Sequence, residues 1–443
     1  MSRIPDGSST RQVWSSQRAY ILASVAGVVG LGNLWRFPYM AGQNGGGNFV
    51  LAYIICIIVL GIPLYVLEAS AGKYAGRGAV GLFRLINKRW GPWLGWFLVL
   101  LTICIMSYYL AVTGWTLGYA VDAIRLDLKQ FDEFTSGYSS FWYFLATAIL
   151  TGAAISRGLS GLERLSRILL PMLVLIVGGL AIYAQTLPGA MLARSFYLSF
   201  DPAGLLEPNI WRMAAGQAFY SLAIGQGFLI VYGSYSPRQF NIIKSSTAVA
   251  LTNSVISITA GLMVFPIVFT FGIAPDSGSQ LSFTAFPRIF GELAGGQFMS
   301  IGFYVLLFIA AFTSCIGGLA VALAPIRDEF CLSQKKAALI VSAIVTALGI
   351  PSALSFTSMK LSINGKPFLD VMDQLTGSGV VIIAGIIGAC LIAWKIPEPN
   401  LVSSINAPTW RLGPITFSSR WIIQLGRYLP AAAVALLLLT YLF

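Results

Sequence analysis

Asn33, Glu68, Ser221, Asn253, Thr313 and Ser314 each stand inside a long apolar run of this 443-residue chain. Amide and hydroxyl oxygens are neutral, hard donors, the set that suits an alkali or alkaline-earth cation, whereas borderline metals ask for Cys and His. The sequence holds no His and only five Cys, dispersed as Cys56, Cys104, Cys315, Cys331 and Cys390. A structural zinc site and an imidazole-dependent enzyme are therefore ruled out. No paired carboxylates or Ser/Lys dyad lie within the apolar runs, so an intramembrane enzyme lacks its residues. Each polar residue also has a plainer use. Asn253 is able to make an interhelical hydrogen bond, and Thr313 and Ser314 are able to bond back to their own helix.

The elements that carry these residues are themselves unusual. In "AGVVGLGNLWRFP" (26–38), Gly27, Gly30 and Gly32 fall in the middle of an apolar segment, and Asn33 follows at once. In "AAGQAFYSLAIGQGFLIVYGSY" (214–235) a second interruption runs from Ser221 to Gly227. Glycine costs roughly 1 kcal/mol per residue inside a helix, and lipid cannot satisfy backbone groups freed by a break. Membrane glycines also serve close helix packing, which accounts for one break more easily than for two beside polar residues. Freed carbonyls can coordinate cations, freed amides can meet an anion, and two half-helix dipoles point at the gap. Paired interrupted helices at matching positions of two halves are the sequence sign of an inverted-repeat transporter with its site between them.

Composition fits that setting. The chain is 57% hydrophobic and 10% charged, with mean hydropathy +0.78. At about 20 residues per span, eleven spans are predicted: roughly 18–40, 46–72, 92–122, 141–156, 164–186, 211–236, 244–273, 298–330, 336–356, 369–394 and 420–442. The first seventeen residues are polar and lack the apolar core of a leader peptide. Most of the 28 Lys and Arg residues fall on one side of this topology, which predicts a cytoplasmic N-terminus in a multi-pass plasma-membrane protein. The net charge of +12 follows from that bias and from anionic lipid. No basic patch interleaved with aromatics points to nucleic acid.

At these residues the chain resembles the neurotransmitter:sodium symporter family. The likeness runs through "VVGLGNLWRFPY" (28–39), "NGGGNF" (44–49), "GIPLYVLE" (61–68), "SYYL" (107–110), "GLERLSRILLP" (161–171), "GQAFYSL" (216–222) and "FTSCIGG" (312–318). The resemblance implies an all-α membrane protein with a 5+5 inverted repeat and discontinuous helices 1 and 6. The first repeat would cover 18–186, the second 211–394, with an N-terminal segment 1–17 before them and an eleventh helix at 420–442. It further implies sodium-coupled symport of a neutral amino acid by alternating access.

Site residues follow from the same resemblance. A first sodium site is expected from Val28, Asn33, Ser221 and Asn253 with the substrate carboxylate, and a second from Ala26, Val29, Ala310, Thr313 and Ser314. Family members that carry amines place an aspartate where Gly30 stands, so a ligand here must bring its own anion. An α-amino acid does so: its carboxylate would meet Leu31, Gly32 and Tyr109, and its ammonium the carbonyls near Val28, Tyr220, Ser221 and Ala223. Ile105, Gln226, Ser314 and Gly318 are expected to line the rest of the pocket. Small residues at Gly318 and Ala223 leave space for a bulky side chain. Gln226 either reads a polar substrate group or bonds freed backbone.

Tyr53, Gln217, Ser221, Asn253 and Ser257 match a chloride cage, and no acid occurs from Arg238 to Pro275 to take the anion's place. Two cations in one low-dielectric site need a compensating charge, so chloride is expected; a packing role for Ser257 is the alternative. Arg36 and Asp373 are expected as an outer gate through water, and Arg11 with Asp328 as an inner one beside Trp14, Ser234 and Tyr235. Glu68 is expected to bond backbone at the broken helices. Gly161 and Pro171 match a family element that unwinds. Rival readings are a proton-coupled or sodium-independent amino-acid carrier of the same fold, a carrier of a non-α amino acid or related osmolyte, and a channel, which the lids Tyr109 and Tyr220 oppose.

Overall fold

The structure is a computed structural model that describes residues 12–275, 281–293, 295–407, 409–412 and 415–429. Twelve principal helices organise it: α1 (Gln17–Val28), α2 (Gly32–Gln43), α3 (Gly47–Ala75), α4 (Gly91–Arg125), α5 (Ser139–Ser156), α6 (Gly158–Ala184), α7 (Pro208–Ser221), α8 (Phe228–Ser234), α9 (Ile242–Thr270), α10 (Gly296–Phe330), α11 (Gln334–Ala353) and α12 (Phe368–Lys395). Among the described residues eight of these are long and apolar enough to cross a membrane. The pair α1 and α2, bent by 57° at its break, adds a ninth span. Arg11 and most of 420–442 lie outside the described residues.

Local chemistry sets the helix ends. Ser16 caps α1 by accepting from the amide of Ala19, and Asn241 caps α9 by accepting from Lys244. α6 runs unbroken through Gly161 and Pro171, so this stretch is wound here. α3 carries a π-helical turn, Ile57–Gly61, in its middle and ends at the left-handed Gly76 (φ 59°).

Packing is close because small residues let backbones meet. A Cβ added at Gly72 would lie 2.0 Å from the carbonyl oxygen of Ile230, and one at Gly233 would lie 2.1 Å from that of Ala69. The second half of α3 and α8 are therefore in backbone contact. α7 lies along the first half of the same helix. Meanwhile apolar side chains face outward: Leu175 is 75% exposed and Ile182 73%. Apolar side chains exposed in this number around a largely apolar core fit a lipid solvent.

Candidate functional site between the two breaks

The first break is short. Val29 leaves helical geometry (φ −79°, ψ 103°), and the chain re-enters a helix at Gly32. Several groups at this turn find partners on neighbouring elements, as burial in an apolar setting favours. The Gly30 amide donates to Asn33 Oδ1 at 3.1 Å, and the Leu31 amide donates to the Tyr109 hydroxyl oxygen at 3.1 Å. The Val29 carbonyl accepts from Ser314 Oγ at 3.3 Å, and the Gly32 carbonyl accepts from Gln217 Nε2 at 2.8 Å. Gly30 has no room for a side chain: a Cβ would sit 2.5 Å from Ser314 Oγ and 2.6 Å from the Tyr109 hydroxyl.

Below this turn four helices bring five polar side chains into one cluster. Asn33 Nδ2 lies 2.8 Å from Ser221 Oγ, 2.8 Å from Asn253 Oδ1 and 2.7 Å from Ser257 Oγ. Asn253 Nδ2 donates to Ser221 Oγ at 2.8 Å and to the Tyr53 hydroxyl at 3.3 Å. All five are buried. No carboxylate joins them among the described residues. The cluster thus unites the side chains expected at the first sodium site with those expected around chloride, and offers carbonyl and hydroxyl oxygens beside N–H and O–H donors. Gln217 stands next to it, donating to Gly32 and accepting from Arg36.

The second expected cation site lies where α1 meets α10. The two helices touch closely, since a Cβ at Gly317 would lie 3.2 Å from Cα of Gly27. Ala26, Val29, Ala310 and Thr313 are all buried there. Thr313 takes the local option: its hydroxyl donates back to Ile309 at 2.9 Å and to Ala310 at 3.1 Å. Ser314 reaches across to Val29 instead.

The second break is longer and differently made. Between Ser221 and Phe228 the backbone turns through left-handed residues Ala223 (φ 53°), Gly225 (φ 81°) and Gly227 (φ 75°). Its Gly225 amide donates to Glu68 Oε1 at 3.0 Å, and its Gln226 carbonyl accepts from Thr102 at 2.9 Å. Glu68 is accordingly a backbone anchor. Gly225 also packs on α12, where a Cβ would lie 2.4 Å from Cα of Gly385.

The residues expected as lids and gates lie nearby. Tyr109 sits over Gly30, and the Tyr220 ring covers Gly32, where a Cβ would come within 2.6 Å of Cε1. The Arg36 guanidinium lies 4.8 Å above the Tyr220 ring. Arg36 and Asp373 form no direct pair: Asp373 accepts from the Tyr108 hydroxyl at 2.8 Å. At the N-terminal end, Trp14 donates its indole N–H to Tyr232 at 2.9 Å and its amide to Tyr235 at 3.0 Å. Ser234 bonds back to Val231. Asp328 pairs with the adjacent Arg327 at 3.0 Å, and its expected partner Arg11 is outside the described residues. Gln12 accepts from the Leu159 amide, and Ser15 donates to Glu163, tying the entry segment to α6.

Beside Gly318 lies the flexible side chain of Met106: a Cβ at 318 would lie 2.2 Å from its Sδ. Ile105, buried one turn before Tyr109, precedes Met106 on α4. Sequence reading missed Met106, Tyr108 and Thr102; their only signal was their place within three and seven residues of Tyr109 on one helix. A separate small cavity of about 30 Å³ opens above Tyr220, lined by Arg36, Phe219, Tyr220, Ile224, Gln226 and Val381 among others.

Comparison with known proteins follows the same lines. A "Sodium-dependent neutral amino acid transporter B(0)AT2" of Rattus norvegicus is 31% identical over 307 residues, covering 59% of this chain and 42% of that protein. An "Uncharacterized sodium-dependent transporter" of Haemophilus influenzae is 33% identical over 393 residues, covering 83% of this chain and 86% of that one. The crystal structure of MhsT in complex with L-phenylalanine superposes with a TM-score of 0.86 at 32% identity, covering 97% of this chain and 99% of that chain. The profile of the Sodium:neurotransmitter symporter family matches residues 11–140 and 140–425, and the chain belongs to that family of membrane transporters.

Proposed function

We propose that the protein is a sodium-coupled symporter of a neutral α-amino acid, assisted by chloride and working by alternating access. The observation that carries this reading is the buried cluster of Asn33, Ser221, Asn253, Ser257 and Tyr53 lying directly under the first break. One sodium ion takes oxygens of Val28, Asn33, Ser221 and Asn253 together with the substrate carboxylate. A second takes Ala26, Val29, Ala310, Thr313 and Ser314. Chloride takes donors of Tyr53, Gln217, Ser221, Asn253 and Ser257. The substrate carboxylate meets the amides of Leu31 and Gly32 and the Tyr109 hydroxyl, and its ammonium meets carbonyls of the two breaks. Gly30 supports a ligand that carries its own carboxylate, because Tyr109 and Ser314 leave no space there for an acidic side chain.

Architecture completes the proposal: eleven spans, 18–186 and 211–394 related as inverted repeats, and a cytoplasmic N-terminus. Arg36, Asp373 and the two tyrosine lids close the outer side; Arg11, Trp14, Ser234, Tyr235 and Asp328 close the inner side. Sodium and substrate share one cage, so each raises the other's affinity by the same factor. Two sodium ions, one chloride and a zwitterion move one net charge, worth about 2.3 kcal/mol per 100 mV. Two tenfold sodium gradients add about 2.8 kcal/mol, giving about 5 kcal/mol before the chloride gradient.

Uptake of a labelled mixture of neutral amino acids into proteoliposomes tests this. Replacing external sodium by choline is expected to abolish accumulation, and replacing chloride by gluconate to reduce it severalfold. Accumulation that persists in choline overturns sodium coupling; accumulation indifferent to gluconate removes chloride alone.

A further inference from the structure

The outside of the bundle carries a groove of about 810 Å³ where α4, α10 and α11 meet, and its lining is apolar throughout. Val99 and Ile103 are buried and make its floor, while Ile340, Ile344 and Leu348 are exposed and make one wall. These wall residues follow at four-residue spacing, so the groove runs about 12 Å along α11. That is less than half of a hydrocarbon core about 30 Å thick. The groove lies toward one face, where α4 begins, α10 ends and α11 begins. It is therefore confined to a single leaflet. Charge and aromatic rings mark its outer end. Lys336 continues the row of Ile340, Ile344 and Leu348 by one turn, with Lys335 beside it, and both are exposed. Lys88 and Arg89, just before α4, are exposed at the same face. None of these four cations makes an ion pair among the described residues. The acids that end α10 are already taken, Glu329 by Arg84 and Asp328 by Arg327. The rings of Trp96 and Phe330, 5.9 Å apart, close the groove at this end, and Trp93 before them is 79% exposed. Exposed tryptophan near the end of a spanning helix marks the depth of the lipid headgroups.

We propose that this groove binds an anionic phospholipid, with one acyl chain along Ile340, Ile344 and Leu348 and the phosphate held by Lys335 and Lys336. A basic cluster beside a groove between spanning helices is the arrangement that holds acidic headgroups. The start of α11 adds the positive end of its helix dipole at the same point. A zwitterionic lipid offers the groove the same chain but brings a further cation to a place that already has four. A second copy of this chain fits less well. A two-fold axis along the membrane normal would set its four cations against these four at one depth. The acyl chain touches three helices at once, so its binding ties α4, α10 and α11 together. The face is cytoplasmic in the architecture proposed above, where the leaflet is rich in acidic lipids.

Titrating the full-length protein in detergent with phosphatidylglycerol or phosphatidylcholine of identical acyl chains tests this, read by melting temperature and by lipid retained in native mass spectrometry. Phosphatidylglycerol is expected to stabilise and remain bound with at least about tenfold higher affinity than phosphatidylcholine. Glycerol phosphate, which has the charge without the chains, is expected to shift nothing. The double variant Lys335→Gln/Lys336→Gln is expected to lose about tenfold or more for phosphatidylglycerol and to keep its affinity for phosphatidylcholine. Arg238→Gln, exposed in the loop before α9, is expected to change neither. Ile344→Trp fills the groove and is expected to lower retention of both lipids. Equal affinity for the two lipids overturns the proposal, as does a preference that survives in the lysine variant or is lost equally in Arg238→Gln. Retention unchanged in Ile344→Trp overturns the placement, and a dimer that this variant dissociates shows a second copy in the lipid's place. The lysine variant alters only exposed side chains, so it decides the matter even where Ile344→Trp does not fold.

Discussion

The two breaks solve one problem in opposite ways. The first is opened by a single extended residue and is satisfied from inside the site, by Asn33, Tyr109, Ser314 and Gln217. The second spans several residues, needs left-handed backbone at Ala223, Gly225 and Gly227, and is satisfied from outside by Glu68 and Thr102. Partners of the first break are the same hydroxyls and amides that a solute would compete for. Those of the second belong to the scaffold. The first break is thus held by side chains of the polar site, and the second by neighbouring helices.

The widest separation should come from two glycine substitutions. Gly225→Ala places a Cβ at φ 81° and 2.4 Å from the Gly385 backbone, which cannot yield. Left-handed strain and overpacking together should cost at least about 3 kcal/mol, read as loss of folded protein by size-exclusion and melting in detergent. Gly30→Ala meets side-chain atoms of Ser314 and Tyr109 rather than backbone, so those side chains should shift, the protein should fold, and uptake should fall about tenfold or more. Equal loss of folding in both would erase the distinction.

Asn33→Ala comes next. It removes the acceptor for the Gly30 amide and the hub of the polar cluster. Sodium affinity, measured by sodium-dependent thermal stabilisation, should drop about ten- to a hundredfold, because hydrogen bonds and ligands to charge are worth about 1.5–3 kcal/mol each. Glu68 should then separate scaffold from site. Glu68→Ala leaves the Gly225 amide without an acceptor and should cost about 1–3 kcal/mol in stability, whereas Glu68→Gln keeps an acceptor oxygen and should recover most of it. A proton-carrying Glu68 would instead make Glu68→Gln as damaging to uptake as Glu68→Ala. The smallest effect belongs to Tyr108→Phe, which deletes the bond to Asp373 at the outer rim. It should change stability by about 1 kcal/mol or less and raise the leak measured as sodium-independent efflux.

The breaks could be read from residue order because their causes are local. Glycines next to Asn33, and Gly225 beside Gly227, weaken a helix whatever surrounds them. The polar cluster was legible for a related reason, since an amide or hydroxyl in an apolar run has to find company. Residues that meet through tertiary register were not. Nothing in the order of α4 says that Met106 lies beside Gly318, or that Tyr108 rather than Arg36 holds Asp373. Pro171 taught the converse: a proline well inside a helix can be accommodated without unwinding it, so its presence marks a weak point rather than an open one.

Backbone contact between α3 and α8, with α7 laid along the other end of α3, makes that helix a splint for the whole interrupted segment. Halves bound to a common strut cannot pivot freely about the gap that separates them. Whatever compliance the pair possesses is relocated to the strut itself, whose one irregular turn, Ile57–Gly61, lies at the level where the halves part company. The contacts fix the spacing of the two halves along one helix, so a displacement of either half must be matched by a change in that helix.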